Sequence, residues 1–129
     1  MRATVIAFAA LSLSVGAADA ANSTKVAAAG KPLILFQAYS ANPDCTATGA
    51  ITMKTLVAPE HGRVTFQRTG VFPTFPSWNV RERCNTRRVP GIKAIYTSQR
   101  GYQGIDRLAV EVIYPNGNYR RHGFGIVVR

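Results

Sequence analysis

The stretch Tyr96-Thr97-Ser98-Gln99-Arg100-Gly101-Tyr102-Gln103-Gly104-Ile105-Asp106, followed by Leu108, Val110 and Val112 and then by Pro115-Asn116-Gly117, decides the fold of this chain. It reads as a corner rich in glycine and tyrosine, a strand whose apolar residues recur at every second position, and a tight turn. That order is how one edge of a small β-sandwich is written.

Parity fixes the turn after that strand. A two-residue loop at Asn116-Gly117 would place Leu108, Val110 and Val112 on one face with Gly125, Gly123 and Arg121, and would leave Phe124, Ile126 and Val128 in water. A three-residue loop from Pro115 to Gly117, with a type I turn, Gly117 in the left-handed conformation and a bulge, shifts the pairing by one residue. Phe124 and Ile126 then join Leu108 and Val110 inside, and Arg120 and His122 share that parity nearer the open end.

Working outward, glycine or proline recurs every few residues and no window of a dozen residues keeps apolar positions at helical spacing, so the domain is expected to be all-β. Leu33-Ile34-Leu35-Phe36 is a short apolar strand. Ile51, Met53, Thr55 and Val57 alternate with polar positions and predict a strand with one buried face. After the turn Pro59-Glu60-His61-Gly62, Val64 and Phe66 alternate again, and these two strands are expected to form a hairpin. Ile92, Ala94 and Tyr96 supply the next inward face, with Ile95 outside the pattern.

The first twenty residues read as a secretory signal peptide: a positive Met1-Arg2 start, an apolar run from Thr4 to Val15 and the cleavage signal Ala18-Asp19-Ala20. The apolar run is short of the ~20 residues needed to cross a bilayer, so no transmembrane anchor is expected. Residues 21–31 are small and polar and are expected to be a flexible arm, leaving 32–129 as one domain. Export places Cys45 and Cys84 where disulfides persist, and they are expected to pair rather than remain free thiols; without a histidine near either they make a poor metal site. Cys45 precedes the strand at Ile51 and Cys84 precedes the strand carrying Tyr96, so the bridge should staple loops rather than cross the core.

Pro59-x-His61-Gly62-x-Val64, with Tyr96-x5-Tyr102-x-Gly104-x-Asp106 and the closing hairpin, resembles the Ig-like and cadherin-like repeat domains of bacterial surface and exported proteins, over Leu33 to Arg129. The resemblance implies a single Greek-key β-sandwich of about seven strands, used for adhesion or as a spacer. Within the corner, Gly62, Gly101 and Gly104 are expected to supply backbone angles, Tyr102 to plug the sandwich end with its hydroxyl on backbone, and Asp106 to accept backbone N–H groups. Cadherin-like domains hold calcium in acidic clusters. Here Asp44, Glu60, Glu82, Asp106 and Glu111 are scattered, so no calcium site, and no other metal or cofactor, is expected.

Catalysis is not expected either. His61 and His122 are the only histidines, Glu60 beside His61 is the only adjacent acid and base, and no serine sits in a G-x-S-x-G turn. The segment Arg68 to Pro90 is long for a connection in so small a domain. It carries Phe72-Pro73-Thr74-Phe75-Pro76-Ser77-Trp78 and then Arg81, Arg83, Cys84, Arg87 and Arg88. Two readings stand: Phe72, Phe75 and Trp78 cap the core with a short strand between Asn79 and Cys84, or the segment is a binding loop using Trp78, Arg81, Arg83, Arg87 and Arg88.

The chain carries a formal net charge of +10, and the expected mature form keeps that balance, with mostly arginine as the base. Arginine forms bidentate bonds with carboxylate and phosphate, which favours an anionic polysaccharide, a lipid surface or an envelope protein as partner; export argues against nucleic acid. The expected function is therefore a non-catalytic binding or adhesion module, periplasmic or secreted. The alternatives are a small enzyme inhibitor that inserts the Phe72 to Trp78 loop into a cleft, and a spacer or subunit of an envelope assembly. Arg87 and Arg88, on the constrained loop, are expected to matter more than Arg120 and Arg121 on the hairpin.

Overall fold

A computed structural model describes residues 22–129. The expected signal peptide, 1–20, lies outside the described residues. Seven strands form the structure: β1 (Asn22–Ala27), β2 (Pro32–Tyr39), β3 (Thr52–Val57), β4 (Gly62–Val71), β5 (Val89–Ser98), β6 (Gly104–Ile113) and β7 (Tyr119–Val128). They make two sheets, ordered β1-β7-β6-β3 and β2-β5-β4. The pairing of β2, β5 and β4 in one sheet and of β3, β6 and β7 in the other is that of an immunoglobulin-type Greek key, with β1 added at the β7 edge, and it matches the fold class expected from the corner and the closing hairpin.

The last hairpin has the register that parity demands. Leu108 lies opposite Phe124 and Ile113 opposite Tyr119. The Gly117 amide donates to the Tyr114 carbonyl at 2.9 Å, the Tyr114 amide to the Asn118 carbonyl at 2.9 Å, and Gly117 has φ 84°, so the loop is Pro115 to Gly117. Leu108, Val110, Val112, Phe124, Ile126 and Val128 are all buried. Facing them from the other sheet are Leu35, Ala38, Ile92, Ala94 and Tyr96, which complete the main core.

Four expectations need correction. Residues 22–27, expected as part of a flexible arm, are β1, which runs parallel to β7 with Asn22 opposite Gly123 and Ala27 opposite Val128. Their small polar side chains carry no alternation; the open edge of β7, a row of unpaired backbone groups, decides the conformation. Nor do β3 and β4 form a hairpin: β3 pairs with β6 and β4 with β5, so Pro59 to His61 carries the chain from one sheet to the other. The register of β3 also shifts between Thr55 and Val57, which leaves both exposed instead of inside. Finally, no strand lies between Asn79 and Cys84. A short 3-10 helix, Glu82–Thr86, turns there and buries Cys84.

Asp106 explains why the sheet crossing stays closed. Its carboxylate is 3% exposed and accepts hydrogen bonds from the Glu60 amide (3.0 Å), the His61 amide (3.1 Å), the Arg107 amide (3.0 Å) and the Tyr96 hydroxyl (2.8 Å). Four donors satisfy a buried charge that would otherwise be costly, and they join β6, β5 and the β3–β4 crossing. The expected corner role of Asp106 thus extends to a side chain on a third element. Tyr102 donates to the Ile105 carbonyl at 2.8 Å and stacks on His61 with ring centroids 4.0 Å apart. Gly101 and Gly104 have φ 78° and 143°, as a corner needs, but Gly62 is present for a different reason. A Cβ there would sit 2.7 Å from both the Thr97 carbonyl oxygen and the Tyr96 ring, so Gly62 makes room for the tyrosine that Asp106 holds.

These contacts make two predictions. Burial, and after it the hydrogen bond to Asp106, push the Tyr96 phenol well above its ordinary 10.0. The proton is retained by the folded protein and released on unfolding, so stability should be constant with respect to this group below about pH 10 and fall as pH rises above it. Urea unfolding of Tyr96→Phe should show about 1–2 kcal/mol of lost stability at pH 7 and none of that alkaline decline, and Asp106→Asn should lose about 3 kcal/mol. Gly117→Ala should lose about 1 kcal/mol in the same assay, because alanine resists the left-handed conformation.

Candidate functional site

Strand order brings three connections to the end of the sandwich opposite Asp106: residues 40–51 between β2 and β3, residues 72–88 between β4 and β5, and the β6–β7 turn. The first two are covalently joined. Cys45 and Cys84, 39 residues apart, form a disulfide with Cα atoms 5.5 Å apart, so the bridge staples loops as expected. Beneath it Ala41, Val71, Cys84 and Val89 make a second buried cluster, with Tyr39, Cys45 and Phe75 packed against it. Cys45 has φ 70°, the one non-glycine residue in the left-handed region among those described.

The long loop is anchored by its own polar groups. Asn85 accepts from the Phe75 amide at 2.8 Å and donates to the Phe75 carbonyl at 2.9 Å. Tyr39 accepts from the Thr74 amide at 2.9 Å and meets the Phe75 ring edge-on at 5.3 Å, and Gln37 donates to the Phe72 carbonyl at 3.0 Å. Arg81 Nε donates to the Ala41 carbonyl at 2.6 Å, and Arg83 donates through Nε, at 2.8 Å, and a terminal nitrogen to the Pro43 carbonyl. Asp44 in the facing loop is bonded by the Thr46 hydroxyl and amide, which hold its carboxyl below the usual carboxylate range.

Only Phe75 of the three aromatics caps the core. Trp78 is 82% exposed, Phe72 49% and the neighbouring Val80 69%, so the capping reading fails for the tryptophan, and the loop holds apolar surface outward. Trp78 lies at the rim of an open groove of about 1070 Å³, lined also by Tyr39, Phe75, Asn79, Arg81, Asn118 and Arg120.

The arginines expected to act together are divided. Arg81 lines the groove beside Trp78, with Nε bonded and its terminal nitrogens left over. Arg83 is held at the Pro43 carbonyl, where it ties the two stapled loops, and Arg87 is exposed and lines neither the Trp78 groove nor the flank cavity. Arg88 lies with its guanidinium carbon 5.4 Å from the Phe72 ring centroid, at a separate cavity on the flank. Arg120, by contrast, lines the Trp78 groove from the β6–β7 hairpin. Arg87 and Arg88 thus lie apart from the groove that Arg120 shares with Trp78. The signal that could have found Arg120 was present: strands six and seven of a Greek key must turn at the end where the long loop lies.

Among the described residues the one contact between acidic and basic side chains within 4.0 Å is Glu60 to His61, at 3.9 Å and remote from this end. Among the described residues the guanidinium groups here consequently lack carboxylate partners. His122, also lining the inner parity, packs against Phe36 at 4.4 Å; burial, and after it the charge of Arg120, hold its imidazole below the ordinary 6.5 and therefore neutral at pH 7.

No family model and no curated relative matches the chain. Among solved structures, the solution structure of Amebosin is similar to it, with a TM-score of 0.42 and 16% identity, over 84% of this chain and 90% of that one.

Stapling should matter for stability as much as for shape. On the chain-entropy view the bridge contributes ~4 kcal/mol for a loop of this length, and its removal leaves the second cluster open. Reduction of the protein, or replacement of both cysteines by alanine, should lower the urea midpoint accordingly. In two-dimensional NMR spectra the amides of 41–48 and 72–88 should lose dispersion before those of β6 and β7.

Proposed function

We propose that this chain is a non-catalytic binding module of the envelope or extracellular space, with the stapled end of its sandwich as the binding surface and an acidic polysaccharide as its partner. The observation that carries the reading is Trp78, held almost wholly in solvent by a loop whose every turn is anchored, beside Arg81 and Arg120. Sandwich folding gains nothing from an exposed indole, whereas the face of a sugar ring stacks on one. Asn79 and Asn118 offer amides to hydroxyl groups, and the guanidinium forks match a uronate carboxylate or a phosphate. The groove is concave, which suits a chain molecule better than a flat headgroup surface. A loop ordered beforehand also loses little entropy on binding.

One observation favours a second reading. Trp78 and Val80 both project from the same disulfide-held loop, which is the form of an inhibitor that places apolar side chains in an enzyme's cleft. In that case binding would be insensitive to salt.

Polygalacturonate is a suitable probe, with neutral dextran and phosphatidylglycerol vesicles as comparisons. Binding to polygalacturonate should weaken several-fold between low salt and 0.15 M, since screening at the latter already acts beyond ~8 Å. Trp78→Ala and Arg120→Gln should each weaken it at least fivefold, and Arg87→Gln and Arg121→Gln less than twofold. Equal losses from all three arginine variants would reduce the effect to net charge. Stronger binding to vesicles than to polygalacturonate would replace the polysaccharide by a lipid surface.

A further inference from the structure

On the flank of the sandwich, where the β3 edge of one sheet lies over the β4 edge of the other, is a second cavity of about 460 Å³. It shares no lining residue with the Trp78 groove. Gly49, Ala50 and Ile51 approach it ahead of β3, Arg68 to Gly70 from β4, and Arg88 to Gly91 at the start of β5. Ala50 and Pro90 are exposed in its wall, and Ile51 and Val89 lie buried beneath. Gly70 leaves the space that the Arg88 stem occupies, since a Cβ there would meet Arg88 Cβ at 3.3 Å.

Two guanidinium groups serve this apolar recess. Arg68 reaches across from one sheet to the other and donates one terminal nitrogen to the Ile51 carbonyl at 2.9 Å, which fixes the side chain at the mouth and leaves its other N–H groups over. Arg88 is positioned by the Phe72 ring. No carboxylate lines the cavity, and neither arginine is among the ion pairs of the described residues. Two positive side chains thus line one hollow that has no carboxylate among its lining residues. A volume of this order, an apolar wall and a few convergent polar groups are the features of a small-molecule site.

We propose that this cavity binds a small amphiphilic anion, its apolar body against Ala50 and Pro90 over the buried Ile51 and Val89 and its carboxylate or phosphate on Arg68 and Arg88. The arrangement requires both parts of the ligand. A neutral amphiphile leaves the guanidinium groups without a partner, and an inorganic anion leaves the apolar surface of Ala50 and Pro90 in water. The site is independent of Trp78 and of the polysaccharide reading.

The test is a titration of the disulfide-bonded protein, followed by amide shifts in two-dimensional NMR, with decanoate, decyl phosphate, decanol and inorganic phosphate. Decanoate or decyl phosphate should saturate shifts at Ile51, Thr69, Gly70, Val89 and Gly91, and the tighter of the two identifies the headgroup. Decanol and inorganic phosphate should bind at least tenfold more weakly. Arg88→Gln should weaken the preferred probe about tenfold, Ala50→Phe, at an exposed rim position, should block it, and Trp78→Ala should leave it unchanged. Thermal melts of each variant separate lost binding from lost fold, and Arg88→Gln carries the test if Ala50→Phe does not fold. Shifts confined to the Trp78 groove, decanol binding as tightly as decanoate, or no saturation by either anionic probe would overturn the proposal.

Discussion

The carboxylate of Asp106 is the contact on which the arrangement of both sheets depends. It lies in β6, takes a hydroxyl from β5 in the opposite sheet and takes two amides from the crossing that joins β3 to β4. Without it the buried Tyr96 hydroxyl and the two part-buried amides would lose their acceptor, and without them the carboxylate would be an unsolvated charge. Because the donors come from three separate parts of the chain, they can be satisfied together only in the native topology. Gly62 belongs to the same constraint: the tyrosine ring reaches Asp106 through space that any side chain at 62 would fill.

With one end closed by hydrogen bonds, the other is held by different physics. There the chain lacks a polar hub and uses a disulfide, a small apolar cluster and arginine-to-carbonyl bonds from Arg81 and Arg83. This division explains why two of the arginines singled out in the sequence are structural in whole or in part. A guanidinium bonded to a loop carbonyl stabilises that loop in one conformation, and its remaining N–H groups are oriented as a result. For Arg81 the two roles coincide. For Arg83 the carbonyl of Pro43 takes both the Nε and a terminal nitrogen, and the side chain closes the gap between the stapled loops.

Period-two alternation made β5, β6 and β7 legible, because their inward residues are buried along most of their length and one wrong register would expose Phe124 and Ile126. The corner was legible because glycine and aspartate have few other reasons to occupy those spacings. What could not be read was whatever depends on a partner strand. β1 has no apolar pattern of its own and is a strand because β7 offers it an edge. The alternation of Ile51 to Val57 and of Val64 to Phe66 is equally compatible with a hairpin and with strands in opposite sheets, and only Asp106, far along the chain, selects the second. The same limit governs the site. Trp78, Arg81, Arg83, Arg87 and Arg88 are neighbours in sequence, yet a loop that folds back on itself turns consecutive arginines in different directions, while Arg120 arrives from a hairpin more than thirty residues away in the chain.

The basic charge has a structural consequence beyond its sign. With the five expected mature acids scattered and Asp106 and Asp44 engaged by amides and hydroxyls, the chain has almost no means of pairing its own arginines. Exposed unpaired charges cost little in water, where the dielectric is high. The same charges cost more when they are placed in a concave, partly apolar setting, because fewer water molecules reach them and each feels the other more strongly. Arg68 and Arg88 line the flank cavity and Arg81 and Arg120 the groove, where Arg81 is half-buried and the other three keep their contact with water. An anion at either place meets two guanidinium groups together with apolar surface, a combination that the same two arginines on a convex surface would not offer. On this argument the curvature of the surface around each pair, more than the net charge of the domain, decides where an acidic ligand settles.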